Sequence, residues 1–381
     1  MKRLSIGITC YPSVGGSGIV ASQLGEELAA LGHRIHFISY EPPFRLDRKL
    51  PNIEFHPVEI NEYQLFKYPD YTLPLAVKMA VVAQEKKLDI LHVHYAVPHA
   101  TAALLATRIA LSQKRRAPHV ITTLHGTDIS LLGRDPNLRS VIKYSIEESS
   151  GVTAVSESLR RETVEVLHTA KPIEVIHNFY RPRTPKKSRA SVRRALGVGP
   201  QDFVVAHLSN LRPVKRIPDL LQVIAELKDQ PQVKLMILAG GSFEEYQPLA
   251  RRLGIEDRLV IRHNVLDIEN YLNAADAGLY CSEKESFGMG VLETMSFAKP
   301  VVATRLGGVP EIVLDRETGF LEKLGDVRAL AADLRRLATD TELARSIGAA
   351  AHQRAREEFS PARSVGHYVE YYRQVMSVGR T

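Results

Sequence analysis

Residues 281–294 read C-S-E-K-E-S-F-G-M-G-V-L-E-T, with Glu285 and Glu293 on either side of a Phe-Gly-Met-Gly break. The run before it, Ala277 to Tyr280, is short and apolar like a buried parallel strand. After it, Val291, Leu292, Met295 and Ala298 recur at helical spacing. A glycine turn therefore falls where a strand hands over to a helix. There the free N–H groups of Gly288 to Gly290 can face an anion, with Glu285 in the loop and Glu293 in the first turns of the helix. Two glutamates at this spacing also suit a solvated helix start whose acids merely match the dipole, so the stretch needs support from elsewhere.

The same unit recurs on both sides. Phe203 to Ser209 is a strand, followed by the cationic loop N-L-R-P-V-K-R at 210–216 and a helix over Leu220 to Leu227. Lys234 to Ala239, Leu259 to Arg262, Val301 to Thr304 and Thr318 to Leu321 are further strands, with a close-approach turn, G-G-V-P-E, at 307–311. In the first half, Leu4 to Thr9 leads into a small-residue loop containing Gly15 and Gly16, then a helix stopped by Gly32. Strands follow at Arg34 to Ser39, Asp89 to Tyr95, His119 to His125, Val152 to Val155 and Ile173 to Asn178. Parallel strands need crossovers, so this alternation predicts an α/β protein of two Rossmann-like, doubly wound domains facing a cleft. The expected bounds are 1–178 and 195–360, with a basic, proline-containing linker at 179–194. The helical end, 361–381, is expected to pack back on the first domain.

A chain of 381 residues exceeds the size of one growing core, which agrees with two domains. The net charge of +7 is spread over helices and dense only between Arg181 and Arg194, favouring small anionic ligands over nucleic acid. No run approaches the ~20 apolar residues of a membrane span, and a cytoplasmic protein is expected. Two cysteines, Cys10 and Cys281, are too few for a disulfide scaffold or zinc site. The first glycine loop is not G-x-G-x-x-G and no acid closes the next strand, which argues against NAD. Ligands lie beyond the carboxyl ends of parallel strands, where Thr122, Thr123, His125 and Asp128 cluster. His92 and His94 read as satisfied core groups, and His125 as a contact residue.

Taken together, two such halves, Arg212 and Lys215 early in the second, and Glu285 and Glu293 near its end resemble the retaining glycosyltransferases of the GT-B type, family 4. Further segments carry the resemblance almost end to end: G-I-T-C-Y-P-S-V-G-G-S-G from Gly7, P-F-R-L from Pro43, F-K-Y-P from Phe66, H-Y-A-V-P-H-A from His94, T-T-L-H-G-T-D-I from Thr122 and E-K-E-S-F-G from Glu283. The resemblance implies transfer of N-acetylglucosamine from UDP-GlcNAc to the hydroxyl of L-malate, the first step of bacillithiol synthesis, without a metal or cofactor. It implies Arg212, Lys215, Glu285 and His125 as catalytic residues. The donor site would comprise Gly15, Gly16, Asn210, Arg212, Lys215, Glu285, Phe287, Gly288 and Glu293. For malate it implies Ser17, Tyr95 and Thr123 as hydrogen-bond donors, with a basic residue on the helix after Pro136. That residue is Lys143, where the family pattern has arginine. The alternatives are a family 4 enzyme with another small or lipid acceptor, and a nucleotide-sugar binding protein without turnover. The second predicts loss of the cationic pair or a glutamate, and all four residues are present. No stable membrane association is expected, and homo-oligomer formation is left open.

Overall fold

The computed structural model describes residues 3–12, 15–43, 45–47, 49–60 and 71–378; Phe44 and the F-K-Y-P segment at 66–69 lie outside them. The chain forms two compact units, Met1–Phe179 with Pro361–Thr381, and Tyr180–Ser360. The first unit carries β1 (Ser5–Thr9), β2 (Arg34–Ser39), β3 (Ile53–Pro57), β4 (Ile90–His94), β5 (His119–Leu124), β6 (Gly151–Ala154) and β7 (Glu174–Val175), in the order β3-β2-β1-β4-β5-β6-β7. In the second are β8 (Phe203–Ser209), β9 (Val233–Ala239), β10 (Leu259–His263), β11 (Ala277–Tyr280), β12 (Val301–Thr304) and β13 (Gly319–Glu322), in the order β10-β9-β8-β11-β12-β13. The described ladders are parallel. In each sheet the order reverses beside the first strand, between β1 and β4 and between β8 and β11. Loops leaving those strands turn to opposite faces, which opens a crevice at their carboxyl ends.

β1, β4, β11 and β12 are buried along their whole length, which is why they read as unbroken apolar or nearly apolar runs. β3 is an edge strand, half-exposed and carrying Glu54 and His56, and it was not anticipated from the sequence. The basic stretch at 179–194 is not all linker. Arg189–Ala195 is a helix whose Arg193 is buried, donating to Asp276 Oδ2 at 3.0 Å and to the Ala274 carbonyl at 3.1 Å. Asp276, just before β11, pairs with Arg193 and Arg189 and so holds both cations inside the second unit.

The helix Pro361–Ser377 belongs to the first unit, where Val365, Tyr368, Val369 and Tyr372 join the core beneath β1 and β4. The Tyr372 hydroxyl lies 2.6 Å from His92 Nδ1. His92 stacks on His94 with ring centroids 4.7 Å apart, and His94 on His125 at 5.0 Å, with His94 Nδ1 2.8 Å from His125 Nε2. His92 has partners on both nitrogens, as a core histidine should, while His94 Nε2 is buried without one. Burial pushes the pKa of His92 and His125 down from 6.5 to about 3 and that of His94 well below its ordinary value, so the column is neutral at pH 7.

The same burial predicts acid lability. Below pH 6.5 the unfolded chain binds protons that the folded rings refuse, so stability is full above that pH and drains as the pH falls toward 3. For the fully buried His92 the loss is on the order of 2 kcal/mol by pH 5. Urea unfolding followed by far-ultraviolet circular dichroism should show a midpoint that drops between pH 7 and pH 5. A flat midpoint over that range contradicts the neutral column.

Candidate active site

The second unit's switch point is framed by the loop after β8 and the loop after β11. Two links join them: the Glu283 N–H donates to the Val214 carbonyl at 2.9 Å, and Arg216 reaches Glu283 at 3.4 Å while gripping Asp219 with two bonds. Between these anchors Lys215 donates to Glu285 Oε2 at 2.5 Å. Both side chains are about one-fifth exposed, so the ammonium is fixed yet reachable. Asn210 and Arg212 are exposed at the tip of the first loop, with Arg212 Nε 3.3 Å from Asn210 Oδ1. This places two anchored cations, Lys215 and Arg216, and one solvent-facing cation, Arg212, on the same loop.

The Glu285 loop takes its shape from glycines the sequence marked as a close-approach turn. Gly307 has φ +59°, and a Cβ there would sit 1.8 Å from the Glu285 carbonyl oxygen, so no other residue fits. The Gly308 N–H also donates to that carbonyl, at 2.9 Å. Gly288, with φ +115°, caps the helix Met289–Met295. Glu293 lies on that helix and is 5% exposed. Beneath it the Tyr280 hydroxyl donates to the Gly290 carbonyl at 2.6 Å and lies 2.7 Å from Thr294 Oγ1, and burial pushes the phenol pKa above its ordinary range. The Phe287 ring is buried and packs edge-on against Phe359 at 5.8 Å, so the side chain anchors the loop from within.

In the first unit, Gly15 and Gly16 open the helix Gly16–Ala30 directly after β1. Across the switch point, Tyr95 follows β4 with φ +83°, a conformation rare for a residue with a side chain, and its hydroxyl donates to Ser17 Oγ at 2.9 Å. His125 follows β5, half-buried, with its ring 5.1 Å from that of Tyr95. Asp128 holds the two loops together by accepting from the Ala96 N–H at 3.2 Å and the Gly126 N–H at 3.0 Å. Its burial raises its pKa to about 6. Ser17, Tyr95 and His125 are thus brought together.

Of the other expected acceptor residues, one is a core group and one is already engaged. Thr123 is fully buried, and its hydroxyl already meets His92 Nε2 at 2.7 Å and Thr153 Oγ1 at 2.7 Å, so its side chain is a core group. Strand alternation is the cause: Thr123 faces the C-terminal helix. Lys143 Nζ donates to the His168 carbonyl at 3.0 Å and pairs with Glu147 at 3.7 Å, tying its helix to the end of the helix Glu157–Leu167. A further cluster, His36, Glu54 and His56, was missed because it straddles the unanticipated β3.

Comparison with known proteins agrees with this layout. The family model for Glycosyltransferase Family 4 matches residues 14–183, and that for Glycosyl transferases group 1 matches residues 188–354. The chain is 42% identical to the N-acetyl-alpha-D-glucosaminyl L-malate synthase of Bacillus anthracis over 98% of both chains. Among solved structures it resembles the sucrose-phosphate synthase of Thermosynechococcus elongatus (TM-score 0.80, 19% identity, 99% of this chain and 100% of that one). It also resembles Anabaena Alr3699/HepE in complex with UDP (TM-score 0.78, 22% identity, 98% and 100%). With both models matched in chain order and a relative this similar from end to end, the chain belongs to the family 4 glycosyltransferases and has their two-unit GT-B fold.

Proposed function

We propose that this glycosyltransferase moves N-acetylglucosamine from UDP-GlcNAc to the hydroxyl of L-malate, retaining the α configuration, as the first step of bacillithiol synthesis. The observation that carries the reading is the 42% identity to the malate synthase, which runs through both units and so includes the acceptor-side segments. No helix among the described residues is long and apolar enough to cross a membrane, and cytoplasmic substrates suit such a chain.

As UDP departs, negative charge grows on the diphosphate. A cation already fixed in place stabilises that charge without reorganising, and Lys215, held by Glu285, is such a cation. Arg212, exposed on the same loop, adds a second, and the backbone of Gly15 and Gly16 supplies N–H groups. Glu293 accepts from the ribose hydroxyls. Glu285, with one oxygen on Lys215, keeps the other for a hydroxyl of the sugar, which His125 also contacts in its neutral form. Ser17 and Tyr95 bind malate, and Lys143 supplies its countercharge by exchanging the His168 carbonyl for a carboxylate. Departure and attack on one face of the sugar, with the diphosphate taking the hydroxyl proton, gives retention without a protein nucleophile.

Incubation with UDP-GlcNAc and L-malate, with and without chelator, followed by mass spectrometry, tests the reading. Equal amounts of UDP and GlcNAc-malate are expected in both cases. Transfer to glycerol phosphate or inositol phosphate but never to malate overturns the acceptor.

Lys215→Ala should lower kcat on the order of 10²-fold or more while weakening donor binding far less. An unchanged kcat removes Lys215 from the leaving-group role. Lys143→Met keeps the stem and deletes the charge, so the malate KM should rise at least about tenfold with the donor KM unmoved, the worth of one charge-assisted hydrogen bond. If malate KM stays put, Lys143 serves only to tie its helix to His168.

A further inference from the structure

At the outer edge of the first sheet, β2 and β3 pair in parallel with His36 opposite Glu54 and Ile38 opposite His56. Residues two apart on a strand share a face, and so do residues aligned across a ladder, which puts His36, Glu54 and His56 on one side of the sheet. His36 Nδ1 lies 3.1 Å from His56 Nε2 and 3.5 Å from Glu54 Oε2, and His56 Nε2 lies 3.8 Å from Glu54 Oε1. Around a tetrahedral ion with bonds of about 2.0–2.1 Å, ligand atoms stand about 3.3 Å apart. With one atom from each group, the three lie within 4.8 Å of one another, so a small turn of the Glu54 carboxylate would close them onto one face of such a tetrahedron.

We propose that His36, Glu54 and His56 form a site for a borderline divalent cation of the Zn²⁺ class, with water in the fourth position. Two imidazoles and one carboxylate make a donor set that suits zinc and its neighbours rather than Mg²⁺ or Ca²⁺, which prefer oxygen alone. His36 is almost wholly buried and its Nε2 has no partner, so the polar contacts of the ring gather at Nδ1, where the ion would bind. Burial also keeps both rings toward the neutral form that a metal requires. Lys86 is the built-in competitor. Its ammonium sits 2.8 Å from Glu54 Oε1 and must release that oxygen for the carboxylate to turn fully to the ion. A bound ion would clip edge strand β3 to β2. None of these residues belongs to the proposed transfer machinery, so chelation would empty this site without stopping the reaction.

The test uses the full chain, stripped with chelator, dialysed, and titrated with ZnCl₂ by calorimetry and with CoCl₂ by visible absorption. One Zn²⁺ per chain is expected, together with the intense cobalt bands of a four-coordinate centre. His56→Gln and Glu54→Gln, both at partly exposed positions, should each weaken Zn²⁺ binding by at least about tenfold. Lys86→Met should strengthen it about two- to fivefold, by removing a half-exposed ion pair. Zn²⁺ should also raise the melting temperature of the wild type and not of His56→Gln. The proposal is overturned by no binding at about a hundred micromolar Zn²⁺, or by binding that both Gln variants leave intact.

Discussion

Each sheet reverses its strand order beside its first strand, and loops from the two strands at that reversal must then meet over one crevice. In the second unit the meeting is fixed by charge, with Lys215 on the loop after β8 and Glu285 on the loop after β11. Everything around the pair serves its placement. Arg216 braces both loops through Asp219 and Glu283, and the glycines at 307–308 let the Glu285 backbone lie against the turn after β12. The buried Phe287 ring holds the far end of the loop. A pair that is only about one-fifth exposed gains more from its Coulomb attraction than a surface pair and loses less to salt. In the first unit hydrogen bonds do the same task, through Tyr95 with Ser17 and through Asp128 with two backbone N–H groups.

The central strands were legible because burial on both faces writes itself as a continuous apolar run. β8, β11 and β12 were read from the sequence with the bounds they have in the fold. The loop residues at their ends were legible for a related reason: polar groups and glycines stand out directly after such runs, at the carboxyl ends where ligands of parallel sheets lie. β3 escaped because, although Ile53-Glu54-Phe55-His56 alternates, the run is short, half-exposed at the sheet edge and ends in proline, like a loop. The metal-type cluster on it was hidden with it.

Side-chain direction was the other illegible quantity. Thr123 and His125 lie two apart on one side of the motif, but β5 ends at Leu124, so the threonine is held inside the sheet and buried while the histidine stands just past its end, half-exposed. Tyr372 lies 280 residues from its partner His92, and no local pattern announces such a contact. Lys143 was located on its helix by family likeness, but its bond to the His168 carbonyl depends on how two helices pack. Phe287 was read as part of a ligand loop, and nothing in its local sequence signals that its ring packs inward against Phe359.

If Lys215 and Glu285 act as one unit, a double-mutant cycle on kcat/KM for GlcNAc transfer, with Lys215→Ala, Glu285→Gln and both together, is the most direct test. The double variant should then be hardly worse than the worse single variant, because either change dismantles the same device, giving a coupling well above the ~0.5 kcal/mol scatter of independent sites. Losses that simply add would mean that the two residues touch in the fold but work separately, and would contradict the account.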